Sequence, residues 1–228
     1  MPPTRNVVPN RFFIACPWKS IRPKYEQVVN ELREEFPVDC VIVGRTTGQD
    51  AQELWTLIKK QIEESVTCIF DATGSNANVA LEFGYAEALG KRCVLAICEH
   101  GKTTVNRDPT IISDLAGKVR TQWKTVTSLK EMLRREFEEN SFIARFQDFV
   151  GSAKYGKKKS RVAVSAIREL SGRQRMMKPD LIVAVQRTFA TYNSIDVRGV
   201  IDELGESGIL AIKRGRHGGV SVPRILAA

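Results

Sequence analysis

The first two-thirds of the chain alternates between short apolar runs and longer stretches with helical spacing. The runs RFFIAC (11–16), VDCVIVG (38–44), VTCIFDA (66–72) and RCVLAIC (92–98) are apolar almost throughout. Runs of that length and composition predict strands buried on both faces. Between them, KYEQVVNELREEF (24–36) places Tyr25, Val28, Val29, Leu32 and Phe36 on one helical face. DAQELWTLIKKQIEES (50–65) predicts a second helix with Asp50 at its N-cap, and NVALEFGYAEALG (78–90) a third, stopped by Gly90. VRTQWKTV (119–126) is a candidate fifth strand, and the segment 128–150 predicts one closing helix. Strands in alternation with helices imply an α/β fold, a flavodoxin- or Rossmann-like parallel sheet covered on both faces. Such sheets take ligands at the carboxyl ends of their strands, where the strand order reverses.

The pattern changes after residue 150. GSAKYGKKKSR (151–161) is small and basic and reads as a linker. Helices are predicted around 162–171, 179–190 and 196–208. Two short strands then flank a Gly-rich basic tip in ILAIKRGRHGGVSVP (209–223). Three helices followed by a hairpin is the order of a winged helix-turn-helix. The expected organisation is an α/β domain over 1–150, a basic linker over 151–161 and a small winged helix-turn-helix domain over 162–228.

Charge supports two parts of different character. Of the 228 residues, 35 are Lys or Arg and 26 are Asp or Glu, a net charge of +9. Residues 1–150 hold 20 of each sign and are neutral, so the 15 basic and 6 acidic residues of 151–228 carry the whole excess. A basic module of this kind suits a polyanion; a solvated basic surface without a partner has the same composition. The five cysteines include no CxxC pair and sit in or beside the strand runs, which suits reduced, buried thiols better than disulfides or zinc ligands. No cofactor or metal is expected. No apolar run approaches the roughly 20 residues that span a bilayer, and no signal-peptide pattern opens the chain, so a cytoplasmic protein is expected.

Glu82 carries the candidate chemistry. In a helix starting near Asn78, the residues Asn78, Glu82 and Tyr85 share one stripe, while Val79, Phe83 and Ala86 form an apolar stripe for the sheet. Asp71 ends the third strand run, so the two carboxylates and Asn76/Asn78 can surround one crevice. A carboxylate there can stabilise an oxocarbenium-like centre, attack C1′ of a sugar, or orient a water. The same spacing equally allows a solvent-facing helix residue. Asp50 is a helix cap, a substrate ligand or both. Tyr85 and Trp18 can stack on a base, or be a rim and a packing residue.

The segments FFIACPW (12–18), CIFDATGSNANVALEFGYAEALGK (68–91) and VLAI (94–97) resemble the nucleoside 2-deoxyribosyltransferase-like group, related to the TIR fold. The shared pattern is Asp-x-Thr, ending at Thr73, then Asn-x-Asn-Val, Glu-x-Gly-Tyr-Ala and Gly-Lys, and the resemblance spans about residues 11–126. It implies that Glu82 is the carboxylate acting at C1′, that Asp71 helps to hold sugar or base, and that Cys16, Pro17 and Trp18 line the pocket. The chemistry implied is cleavage or transfer at an N-glycosidic bond, with a nucleotide or base in the pocket.

In the C-terminal part, the candidate recognition helix carries Asp196, Asp202, Glu203 and Glu206 against Arg198, which disfavours insertion into a groove. The candidate DNA contacts are Lys157, Lys158, Lys159, Arg161, Arg173, Arg175, Lys178, Lys213, Arg214 and Arg216, mostly to phosphate. A winged helix used for dimerisation, giving a homodimer, or for protein docking is the alternative. A C1′ pocket joined to a DNA-binding module suggests a DNA glycosylase that excises a base and leaves an abasic site. A modified viral base is a candidate target, with an antiviral role. That expectation needs the basic module to lie beside the carboxyl ends of the strands. The alternatives are a nucleosidase or NADase on free nucleotides, and a nucleotide-sensing transcription regulator without catalysis.

Overall fold

The computed structural model describes residues 5–44, 50–74, 76–99, 120–151, 156–171, 173, 175–189, 194–213, 215 and 219–227. Arg214, Arg216, the two histidines and the loops 45–49 and 100–119 lie outside the described residues.

The α/β expectation holds. β1 (Arg5–Ala15), β2 (Asp39–Val41), β3 (Ser65–Asp71), β4 (Arg92–Cys98) and β5 (Arg120–Trp123) form a parallel sheet in the order β2-β1-β3-β4-β5. That is the flavodoxin order, and it reverses between β1 and β3. α1 (Arg22–Leu32) covers one face; α2 (Ala51–Glu64) and α3 (Ala77–Ala88) cover the other. The strand pleat explains the split. On β3, Cys68 and Phe70 pack with α2 and α3, while Ile69 packs on the α1 side.

Two elements differ from the sequence reading. The single closing helix is two helices, α4 (Val126–Glu138) and α5 (Ser141–Gly151). Buried Asn140 makes the break: its Oδ1 accepts from the N–H groups of Phe142 and Ile143, and its Nδ2 donates to the Pro9 carbonyl. The N-cap is therefore tied to β1 by a long-range bond, which no periodicity can reveal. β1 is also longer than expected, because its first residues pair with a strand from the far end of the chain. β8 (Ile225–Ala227) runs antiparallel to Arg5–Val7.

The C-terminal part contains α6 (Lys157–Leu170), α7 (Lys178–Thr188), α8 (Ser194–Glu206) and an antiparallel pair, β6 (Ala211–Lys213) and β7 (Gly219–Ser221). The expected order of three helices and two strands is present. The lysine run 157–159 and Arg161 are helical, forming the largely exposed start of α6 rather than a linker, ahead of the buried face that Val162, Ala163, Ala166 and Ile167 give the helix. Residues 152–155 lie outside the described residues. The apolar core runs on from α1 and α4 into α6, α7 and α8.

This C-terminal unit sits at the amino ends of the parallel strands. Arg168 of α6 pairs with Glu34, just past the end of α1 and ahead of β2, at 3.0 Å. Arg145 of α5 donates to the Gly208 carbonyl, and Arg224, ahead of β8, pairs with Glu64 at the end of α2. The condition that a DNA glycosylase would need, a basic module beside the carboxyl ends, is therefore not met within one chain.

A buried cation ties this end together. Arg11, 5% exposed on β1, bonds Asp39 of β2 at 2.8 Å and pairs with Glu64 of α2. Replacing it leaves buried Asp39 without its cation and Glu64 with only the more distant Arg224, at 3.7 Å. Arg11→Met is expected to lower stability by about 3–5 kcal/mol, read from the midpoint of urea unfolding.

Candidate active site

The reversal point between β1 and β3 opens a cavity of about 480 Å³ at their carboxyl ends. β1 supplies Phe13, Ile14 and Ala15 to its wall, followed by Cys16 and Trp18; α2 supplies Ala51, Leu54, Trp55 and Ile58, and α3 supplies Asn78, Val79, Leu81 and Glu82. The volume is in the range that holds a small organic ligand. Most of the lining is apolar or aromatic.

Glu82 is the one ionisable carboxylate among the described lining residues. It faces the cavity because it lies one turn beyond Asn78 on the same helical stripe. Asn76 starts the helix: its Oδ1 accepts from the N–H groups of Asn78 and Val79, at 3.0 and 3.3 Å, and it also borders the cavity. Among the described residues no hydrogen bond or ion pair reaches the Glu82 carboxyl. Burial without a compensating donor pushes its pKa up to about 7, from an ordinary 4.5. Cys16, beside it, is pushed up to about 12, chiefly by burial and next by the charge of Asp71, so its thiol stays protonated at neutral pH.

Asp71 has a different place from the one expected of it. Its side chain is fully buried (0% exposed) on the α1 side of the sheet, among residues outside the cavity wall. Oδ2 accepts from the Tyr25 hydroxyl at 3.0 Å and from Trp123 Nε1 at 2.9 Å, and Oδ1 accepts from the Thr73 N–H at 3.0 Å. Burial raises its pKa and these donors oppose the rise. The strand pleat decides this: Phe70 faces the cavity side and Asp71 the other. Asp71 thus joins β3, α1 and β5 from below the site. Thr73 serves the same scaffold, its hydroxyl accepting from the Cys98 N–H at 2.8 Å.

Other expectations divide in the same way. Cys16, Trp18, Asn76 and Asn78 come together with Glu82 around the cavity. Tyr85 turns away: its hydroxyl donates to Glu63, and its ring meets Trp55 edge-on at 5.8 Å. Trp55, which sequence reasoning did not single out, takes the aromatic wall instead. Its signal was the apolar stripe of helix 50–65, which reads as core. Asp50 occupies the N-cap position of α2 but makes no side-chain cap bond, and it is exposed outside the cavity wall. Pro17 contributes its carbonyl to the Arg22 N–H and is likewise outside the wall.

The basic residues of the C-terminal unit are partly committed within it. Lys158 pairs with Asp196 at 3.0 Å and Lys159 with Glu203 at 2.9 Å, while Lys178 pairs with Asp202. Three of the four acids of α8 are thus met by lysines of α6 and α7. The guanidinium of Arg161 lies 5.5 Å from the Phe189 ring centroid. Lys157, Arg173, Arg175 and Lys213 are exposed.

Among the described residues no group of three or more His, Cys, Asp or Glu is placed to hold a metal ion, and no helix is long and apolar enough to cross a membrane.

No family model and no curated protein matches the chain. Among solved structures it is similar to the Clostridium botulinum CMP N-glycosidase BcmB, at 17% identity and a TM-score of 0.41, over 55% of this chain and 98% of that one. It is also similar to a chain of Drosophila ORC bound to AT-rich DNA and Cdc6, at 14% identity and a TM-score of 0.28, over 93% of this chain and 80% of that one.

The two carboxylates respond oppositely to substitution. Asp71→Ala strands the buried donors of Tyr25 and Trp123 and is expected to cost about 2–6 kcal/mol, measured by urea unfolding. Glu82→Gln removes a group whose folded pKa, about 7, lies above its ordinary 4.5. Such an acid adds stability that is complete below the unfolded value and lost as pH rises through the folded one. Glu82→Gln is therefore expected to melt higher than wild type at pH 8, by about 2–4 °C for each kcal/mol relieved, with the gain shrinking toward pH 5.

Proposed function

We propose that the protein hydrolyses the N-glycosidic bond of a free nucleoside or nucleotide, with Glu82 as the reacting carboxylate. The observation that carries this reading is the isolation of Glu82. It is a partly buried acid without a bond partner among the described residues, in an apolar cavity at the reversal point of the sheet. An acid that only supported the fold would be expected to have donors, as Asp71 has three.

In this reading the bond from C1′ to the base nitrogen breaks as positive charge builds on C1′ and the ring oxygen. The carboxylate of Glu82 faces that charge. It either bonds to C1′, to be displaced by water, or takes a proton from water that attacks C1′. The products are the free sugar, hydroxylated at C1′, and the base, which leaves with a proton. Trp18, Trp55 and Leu54 offer flat and apolar surface to the base. The protonated Cys16 thiol adds no negative charge beside Glu82.

The position of the C-terminal unit favours a small substrate over a base within DNA held by that unit. β8 meets β1 at Val7 and the cavity wall begins at Phe13, so the two ends are separated by about 20 Å of extended strand. DNA bound on the C-terminal unit would have to cross that span to bring a base to Glu82 of the same chain.

The test measures base release by mass spectrometry from free nucleosides, nucleoside monophosphates, NAD and DNA, using wild type and Glu82→Gln. Release from a free compound, reduced by about 10²- to 10⁴-fold in Glu82→Gln, is expected. Its rate should rise through an acid limb near pH 7, since Glu82 reacts as the carboxylate. Release from DNA alone would shift the assignment to a DNA glycosylase. Binding without release from any substrate would make the site a nucleotide sensor.

A further inference from the structure

Trp18 stands at the cavity mouth and is 51% exposed, an unusual state for a tryptophan. An exposed indole in a loop would ordinarily sample several rotamers. Here three features restrict it. The Arg22 guanidinium stacks on the ring, its Cζ 4.0 Å from the centroid. Arg22 is itself secured, with Nε donating to Glu26 one turn along α1 at 2.6 Å and its terminal nitrogens reaching the carbonyls of Val43 and Ile42 at 3.4 Å. Gly44, just beyond β2, lies directly beneath: a Cβ there would fall 1.8 Å from Trp18 Cζ3 and 2.0 Å from an Arg22 nitrogen. The indole and the guanidinium occupy the space that any other residue at 44 would fill.

We propose that Arg22 is a positioning residue that clamps Trp18 as a fixed wall of the cavity, and that Gly44 is the position whose missing side chain makes room for the clamp. Three of the five Arg22 N–H groups serve Glu26 and the Val43 and Ile42 carbonyls, and the flat face of the guanidinium lies on the Trp18 ring, so Arg22 acts through Trp18 rather than as an anion ligand. It therefore contributes equally to substrates with and without a phosphate. The wall exists before substrate arrives, so the clamp sets substrate affinity rather than the chemical step at Glu82. The kinetic part of this inference rests on the N-glycosidase reading; the immobilisation of Trp18 does not.

Two measurements separate the two. The first needs no substrate: acrylamide quenching of tryptophan fluorescence, with the Trp18 contribution taken as the difference between each protein and the same protein carrying Trp18→Phe. Arg22→Ala and Gly44→Ala are expected to raise the Trp18 quenching constant, and Arg22→Lys, which keeps charge but not the planar stack, to give an intermediate value. Circular dichroism checks that each variant is folded; Arg22→Lys keeps the test alive if Arg22→Ala is not. An unchanged Trp18 quenching constant in the folded variants overturns the clamp, whatever the protein hydrolyses. The second uses a nucleoside and its 5′-monophosphate that the wild type cleaves. Arg22→Ala is expected to raise KM for both by a similar factor, about 3- to 10-fold, with kcat nearly unchanged. A rise confined to the monophosphate would make Arg22 a phosphate ligand and overturn the positioning role. A fall in kcat at constant KM would also overturn it. If no nucleoside, monophosphate, NAD or DNA is cleaved, the N-glycosidase reading fails while the quenching result still decides the clamp.

Discussion

β1 is the constraint on which the rest of the structure depends. It is flanked by β2 and β3 in parallel over its later residues and by β8 in antiparallel over its first three. Because β2 and β3 lie on opposite sides of it, the connections that follow β1 and β2 diverge to opposite faces of the sheet. The gap they leave at the carboxyl end is the cavity. The same strand anchors the C-terminal unit at its other end, through β8 and through Asn140, which bonds the Pro9 carbonyl. Cavity and C-terminal unit are therefore attached to opposite ends of one rigid element. Arg11, with its partners on β2 and α2, secures the pairing at the end away from the cavity.

The two carboxylates near the reversal point illustrate how environment divides roles. Asp71 and Glu82 both occur where a reactive acid would be sought, and both are held in low-dielectric surroundings. Asp71 meets three donors and becomes a structural joint between β3, α1 and β5. Glu82 meets none among the described residues and keeps its free lone pairs toward the cavity. The energetic cost of that second arrangement is carried by the fold, and it is the kind of local strain on stability that reactive sites accept. In the Trp18 stack, an exposed indole lies against a guanidinium that is itself held by Glu26 and the carbonyls of Ile42 and Val43.

The C-terminal unit shows how a charge count differs from a charged surface. Its excess of +9 is genuine, yet three of its lysines face acids of α8. Those pairs are solvent-exposed and individually weak, but they join the N-terminal part of α6 and the start of α7 to α8. They also explain why α8 can carry so many acids without repelling its own surroundings.

Much of this was legible in the chain itself. The apolar runs gave β3 and β4 within a residue, the helical stripes gave α1, α2 and α3, and Gly90, with a φ of +66°, stops α3 as its position suggested. Asn78 and Glu82 were correctly grouped, because residues four apart on a helix must share a face. Local periodicity settles such matters since the interactions involved are themselves local. What it could not settle is which side of the sheet Asp71 would face relative to Glu82, since that depends on where the loop between β3 and α3 returns. Nor could it show that Trp55 rather than Tyr85 would line the cavity, that Asn140 would split the last helix of the α/β part, or that Ile225–Ala227 would travel back to β1. Each of these rests on a contact between residues far apart in sequence, and such contacts exist only once the chain has closed. The sequence alone determined the elements, the acid and its helix; tertiary structure decided which acid stays free and which end of the sheet the basic unit occupies.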